Sequence, residues 1–201
     1  MTSAVDSLKT PSSRRAFLVA GALGGATAVL AGCGVAAAST TKRTAHLYLT
    51  IATPAMLGNE DPAMIPANPQ VPANSTVRVE IVNFDDATPM TAALAQFAKV
   101  QGTVGGTITV APLDTKDPNH ASAQSTVSSL DLQSGVSHTF TIAKLGINVP
   151  VAPKARTIFT IETGDGGTYL WRCNNPCGTG PGGWGGAMSA DGFMMGKLTI
   201  A

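Results

Sequence analysis

The fold of this 201-residue chain is decided by residues 157–172, which read TIFTIETGDGGTYLWR. Residues 157–163 and 168–172 are rich in Thr, Ile and aromatic residues, and glycines with one aspartate separate the two runs. Short runs of this composition, bounded by turn residues, are typical of β-strands. We therefore expect two short strands in this stretch.

The same pattern extends in both directions along the chain. Further strand candidates lie at residues 46–51, 77–82, 102–110, 136–142 and 197–200. Residues 53–75 carry five prolines and favour an extended edge, residues 91–100 are the one helix candidate, and Gly105-Gly106 suggests a hairpin turn. Seven or eight short strands with frequent turns predict an all-β sandwich with Greek-key connections. We expect one domain over residues 45–201, with residues 91–134 as an insertion between core strands.

The composition excludes one class of partner. The chain has 13 basic and 12 acidic residues, and only 12% of its residues are charged. Removing residues 1–32 takes away three bases and one acid, which leaves ten and eleven. A near-neutral domain lacks the basic surface that binds nucleic acid, so we expect no nucleic-acid partner.

The N-terminus has the features of an export signal. A polar segment ends in Arg14-Arg15, and residues 16–31 follow without a charge. This uncharged run of sixteen residues is shorter than the about 20 that a membrane span needs. Its surroundings resemble a twin-arginine signal peptide over residues 1–32.

Cys33 is the candidate for a lipid anchor. Residues 30–33 read Leu-Ala-Gly-Cys and resemble a bacterial lipobox, after which Cys33 becomes the modified first residue. Residues 33–44 then form a flexible tether, and the domain lies at the extracytoplasmic face of a bacterial cell membrane. The alternative is cleavage after Ala38, since residues 36–38 offer an A-x-A site. Either product is outside the cytoplasm, where disulfides are permitted.

The second half of the chain carries a family resemblance. Its motifs, in order, are His-Thr-Phe at 138–140, Leu-Gly-Ile-Asn at 145–148, Gly-Thr-Tyr at 167–169, Cys-x3-Cys-Gly-x-Gly at 173–180, and Met188. In order and spacing they resemble a cupredoxin, most of all the copper-binding domain of cytochrome c oxidase subunit II. The resemblance implies a cupredoxin-like sandwich that binds copper, and residues 77–85 resemble its first core strand.

The resemblance also implies the ligands. By position, His138 matches the strand histidine, Cys173 and Cys177 match the thiolates, and the carbonyl of Asn175 falls where the oxidase subunit has a carbonyl donor. Mononuclear blue copper uses two imidazoles, a thiolate and a weak thioether, whereas the binuclear centre has two bridging thiolates. The second histidine of the family is missing, because Pro181 stands in its place and Trp184 in that of the methionine. The longer loop here leaves Met188 as the thioether donor.

Several alternatives remain open for these residues. Cys173 and Cys177 can form a disulfide instead of binding metal, since both processes are compatible with export. His46 is a candidate substitute ligand, whereas His120 lies in a turn-rich, solvated segment. Asp85 and Asp86 are interpreted as structural.

The sequence thus leaves two functions in competition. The first is a tethered copper protein that either exchanges electrons with a redox protein partner or holds copper. The second is a copper-free structural or interaction module with a Cys173–Cys177 disulfide. No Ser/His/Asp or paired-carboxylate motif is visible, so we do not expect an independent enzyme.

Overall fold

A computed structural model describes residues 42–113 and 124–201. The predicted signal peptide, Cys33 and His120 lie outside these ranges. Within them the chain forms strands that we number in sequence order: β1 (Arg43–Ala52), β2 (Ala63–Ile65), β3 (Gln70–Val71), β4 (Ser75–Asn83), β5 (Ile108–Pro112), β6 (Ser125–Val127), β7 (His138–Ile142), β8 (Ile147–Val151), β9 (Ala155–Glu162), β10 (Gly167–Arg172) and β11 (Met195–Ile200).

The strands form two sheets. The first sheet has the order β2-β1-β4-β9-β5-β6, and the second has the order β3-β11-β10-β7-β8. After the β7–β8 hairpin the chain crosses to β9 in the first sheet and returns to β10, which then pairs with β7. This return to a non-consecutive neighbour is a Greek-key connection. The predicted all-β Greek-key sandwich is therefore confirmed.

Alternating side chains from both sheets fill one shared core. On β4, Val77, Val79 and Ile81 are completely buried, and they face core residues of the second sheet such as Phe140 and Trp171. Each such aliphatic side chain contributes about 1.5–3 kcal/mol on burial. Along β10, Tyr169 and Trp171 are the more buried residues, whereas Leu170 is 52% exposed and Arg172 is exposed. The period-2 alternation expected for this strand is confirmed.

The helix candidate at residues 91–100 differs in detail from the sequence prediction. Residues Ala92–Ala98 form a 3₁₀ helix rather than an α-helix. The side-chain amide of Asn148 on β8 donates to the carbonyl oxygens of Phe97 and Lys99, at 3.0 and 2.7 Å. These carbonyls therefore find a tertiary partner and do not depend on continuation of the helix. The helix lies against β8, all five of whose residues are buried.

The prediction of a hairpin turn at Gly105-Gly106 is wrong. Residues Val104–Gly106 form a 3₁₀ turn with both glycines at positive φ, and β5 follows it. The segment before the turn does not pair with β5, because Gln101 forms a bridge with Asn148 of β8 instead. β5 and β6 extend the edge of the first sheet.

The proline-rich stretch contributes an edge strand to each sheet, as its composition suggested. β2 pairs with β1, and β3 pairs with β11. The same stretch also contains the four-residue α-helix α1 (Pro54–Leu57), which its prolines did not predict. The Thr53 hydroxyl caps this helix, and Gly58 ends it at φ 66°. In the described ranges, every helix is too short to cross a membrane.

Candidate metal centre

Four candidate ligands come from two regions of the chain that meet at one end of the sandwich. His138 is the first residue of β7, and Cys173 directly follows β10. Cys177 and Met188 belong to the connection between β10 and β11, residues 173–194, which we call the ligand loop. β10 runs antiparallel to β7 with Arg172 opposite Thr141, so the residues that follow β10 continue along β7 towards its first residue, His138. One donor atom from each of His138, Cys173 and Cys177 lies within 4.8 Å of the others.

His138 is fully buried and presents one free nitrogen. Its Nε2 lies 3.1 Å from Oδ2 of Asp85, in the segment that follows β4. Its Nδ1 is buried and has no hydrogen-bond partner. A carboxylate on one ring nitrogen fixes the ring orientation and leaves the other nitrogen available as a metal ligand. The hydrogen bond with His138 holds the pKa of Asp85 below its usual value.

Cys173 is also fully buried, and backbone groups surround its sulfur. The backbone N–H groups of Thr139 and Asn175 donate to Sγ at 3.3 and 3.4 Å, and the carbonyl oxygen of Asn175 lies 3.3 Å away. Two N–H donors stabilise a thiolate at this position. The Asn175 side chain donates to the carbonyls of Thr88 and Ser137 and so fixes the start of the ligand loop.

Cys177 and Met188 complete a group of three sulfur atoms. The Cys177 Sγ lies 3.7 Å from Sγ of Cys173 and 3.3 Å from Sδ of Met188. Met188 is buried, Cys177 is partly exposed, and both cysteines are free thiols in this structure. The disulfide alternative stays a prediction that the experiments below test.

The charges of the site are coupled. Burial disfavours the charged imidazole, but the hydrogen bond with Asp85 and the neighbouring Cys173 sulfur outweigh burial and raise the pKa of His138 to about 9. Burial likewise disfavours the Cys173 thiolate, but the neighbouring Cys177 thiol and the nearby His138 ring lower its pKa well below the ordinary value. The hydrogen bond to that thiolate raises the pKa of Cys177. In the metal-free site these shifts favour a positively charged imidazole beside the Cys173 sulfur and keep the proton on Cys177.

The structure separates the other sequence candidates from this group. His46 lies on β1, is exposed and stacks on Tyr48, so it is not part of the cluster. Trp184 is 42% exposed on the ligand loop, and Pro181 is exposed as well. The interpretation of Asp85 as purely structural needs correction, because its carboxylate contacts the candidate ligand His138. The one sequence signal for such a role was the position of Asp85 at the end of residues 77–85, which resemble the first core strand of the family. Sequence order does not reveal which distant side chain this carboxylate contacts.

The arrangement offers one imidazole nitrogen and three sulfur atoms, with Asp85 outside them. Thiolate and thioether ligands select soft metals such as Cu(I), and imidazole also suits copper. The burial of His138, Cys173 and Met188 excludes water from most of the site. Such a group can hold copper.

Comparisons with known proteins give only remote matches. No protein-family model matches the chain, and neither does any curated protein. Similar solved structures include auracyanin B, at 13% identity over 78% of this chain and 88% of that chain, with a TM-score of 0.32. The copper protein rusticyanin matches at 15% identity over 80% of each chain, with a TM-score of 0.34. Auracyanin from the photosynthetic bacterium Roseiflexus castenholzii matches at 13% identity over 80% of this chain and 98% of that chain, with a TM-score of 0.29. At such TM-scores the fold assignment rests on the two sheets themselves.

Proposed function

We propose that this protein is an exported, membrane-tethered cupredoxin-like protein that binds copper for electron transfer or copper holding. The observation that carries the proposal is the unpartnered Nδ1 of buried His138 beside two free thiols. Buried polar atoms without a partner are rare in proteins, and each calls for an explanation such as an ion. A metal bound by Nδ1 supplies that explanation.

Each ligand has a distinct role in this proposal. His138 donates from Nδ1 while Asp85 holds Nε2, and Cys173 binds as the thiolate that its backbone donors stabilise. Nδ1 of His138 and the thiol of Cys177 would each lose a proton on metal binding, and Met188 would supply a thioether. Copper bound here supplies one-electron chemistry or is stored as Cu(I), and the sulfur-rich set favours Cu(I). Copper holding therefore competes with electron transfer.

The finer likeness to cytochrome c oxidase subunit II belongs to the same proposal. It is supported by the two cysteines, which approach within 3.7 Å, and by the Asn175 carbonyl at 3.3 Å from the Cys173 sulfur. A redox protein partner is part of the electron-transfer alternative, and the exposed Trp184 of the ligand loop is a candidate contact for it. The number of copper ions per chain distinguishes a mononuclear from a binuclear centre.

Copper binding is tested by Cu(I) titration of the purified reduced protein in competition with bathocuproine disulfonate. We expect His138→Ala and Cys173→Ala each to abolish tight binding, because each removes a buried donor. His46→Ala is the matched control, since this histidine is exposed on β1, away from the cluster. Equal affinity in all three variants contradicts the proposal.

The second candidate function is the copper-free module. It is favoured by the short Cys173–Cys177 approach, from which a disulfide can form with little movement of the loop. Peptide mapping by mass spectrometry of protein purified without reductant identifies this state. A Cys173–Cys177 linkage, with no copper bound before or after reduction, replaces the copper proposal by the structural one.

Tethering and export are proposed from the N-terminal motifs alone. We expect Cys33→Ala to release the protein from the membrane fraction or to leave it unprocessed. A soluble wild-type product that begins at Ser39 overturns the lipid anchor. Replacing Arg14 and Arg15 by lysine should reduce export, and unchanged export removes the basis for the twin-arginine route.

A further inference from the structure

The carboxylate of Asp61, which is not a candidate ligand, lies against two segments of the ligand loop, one at Thr179 and one at Gly186. Asp61 lies in the short segment between α1 and β2. Its Oδ1 accepts a hydrogen bond from the backbone N–H of Thr179 at 2.9 Å, and its Oδ2 lies 3.5 Å from the Thr179 hydroxyl. Among the described residues, no cation pairs with Asp61, so its specific contacts are directed at the loop.

The second segment of the loop approaches the same carboxylate at Gly186. A Cβ atom at this position would overlap both carboxylate oxygens of Asp61, so the carboxylate would have to move. The backbone at Gly186 also has φ +52°, in the left-handed region that favours glycine. Glycine here therefore lets the loop backbone approach the carboxylate closely.

These contacts lie two residues from each of two candidate ligands. Thr179 follows Cys177 by two positions, and Gly186 precedes Met188 by two. Between them the loop closes on itself, since Gly185 N–H donates to the Thr179 carbonyl at 2.7 Å. The backbone N–H of Asp61 donates to the Asn59 side chain, which fixes the aspartate in turn. One carboxylate thus bridges the two segments that position the Cys177 and Met188 sulfurs.

We propose that Asp61 is a positioning residue that latches the ligand loop and thereby slows the exposure of Cys177 and the release of bound Cu(I). Only the slower release of Cu(I) rests on the proposed copper function; the slower exposure of Cys177 does not. The loop is rich in glycine, and Cys177 is the partly exposed donor of the cluster. Removing the latch lets the Cys177 side of the loop move away, while Cys173 stays held by its backbone donors.

The first test uses the reduced, metal-free protein and follows alkylation of each cysteine by iodoacetamide with peptide mass spectrometry. We expect Asp61→Ala to accelerate modification of Cys177 several-fold and to leave that of Cys173 nearly unchanged. Asp61→Asn retains an oxygen that accepts from Thr179 and should behave like wild type. Asp165→Ala is the matched control, because this aspartate is exposed in a turn away from the loop.

The second test measures transfer of Cu(I) from the loaded protein to bathocuproine disulfonate. Loss of an outer-shell partner typically weakens metal binding 10–100-fold, and we expect release from Asp61→Ala to be about tenfold faster than from wild type. Gly186→Ala should accelerate Cys177 alkylation as well, because its methyl group displaces the carboxylate, and it serves where Asp61→Ala does not fold.

The two tests separate the latch from the copper proposal. Absence of Cu(I) binding by wild type overturns the proposed function, whereas the alkylation rates still report on the latch. Equal Cys177 rates in Asp61→Ala and Asp165→Ala overturn the latch even if copper binds tightly. An Asp61→Asn variant as fast as Asp61→Ala also overturns it, because the hydrogen bond to Thr179 is then not what holds the loop.

Discussion

Replacing Asp85 by asparagine removes one negative charge beside His138 with almost no change of shape. The rise of the His138 pKa from 6.5 to about 9 corresponds to about 3 kcal/mol that favours the protonated imidazole in the folded protein. Asp85 shares this effect with Cys173, and its own side chain is 25% exposed. We therefore expect Asp85→Asn to lower the free energy of unfolding of the metal-free protein at pH 7 by about 1–2 kcal/mol.

The same substitution should weaken copper binding. The carboxylate orients the ring and makes Nδ1 more basic, and loss of such a partner typically costs about 10–100-fold in metal affinity. Competition with bathocuproine disulfonate measures the affinity, and urea unfolding at pH 7 measures the stability. Asp86→Asn is the matched control, since Asp86 is 78% exposed and pairs only with Lys154 among the described residues. Equal copper affinities for the two variants would refute the role of Asp85.

Three further changes probe the site and the core. His138 binds its proton more tightly when folded, so its contribution to stability is complete below pH 6.5 and is lost as the pH rises towards about 9. Urea unfolding of the metal-free protein should therefore show a larger gap between wild type and His138→Gln at pH 6 than at pH 9.5, and an unchanged gap contradicts the raised pKa. Met188→Leu should change the free energy of unfolding by less than about 1.5 kcal/mol but shift the reduction potential of the copper protein, which voltammetry measures. Met56→Leu, at an exposed methionine, is the control. Identical potentials in the two variants exclude Met188 as a ligand. Trp171→Ala should lower the free energy of unfolding in urea by about 3–5 kcal/mol, because the ring is fully buried. Leu170→Ala, at an exposed position, should lower it little. Similar losses in the two variants contradict the assigned faces of β10.

Much of the fold is readable because strand side chains alternate between a buried and an exposed face. β4 and β10 show this alternation, and the structure turns one face of each towards the core, with Leu170 on the exposed face of β10. β8 was not recognised by pattern, because all five of its residues are buried and no alternation remains. In the 3₁₀ helix Ala92–Ala98, the carbonyl of Phe97 accepts a hydrogen bond from Asn148 on β8, which lies 51 residues further along the chain. Such effects follow from tertiary contacts rather than from local propensity.

The donor types of the candidate centre can be read from the sequence alone: one histidine on a strand, two cysteines spaced by four, and a methionine on the same loop. The sequence also shows that no second histidine follows His138. Only the tertiary structure decided that Asp85 takes Nε2 of His138, that Nδ1 stays free, and that Asp61 bridges the ligand loop. The physical reason is that hydrogen bonds depend on distance and direction in space. Asp85 and His138 are 53 residues apart in the chain, and Asp61 and Thr179 are 118 apart, so no local pattern records either contact.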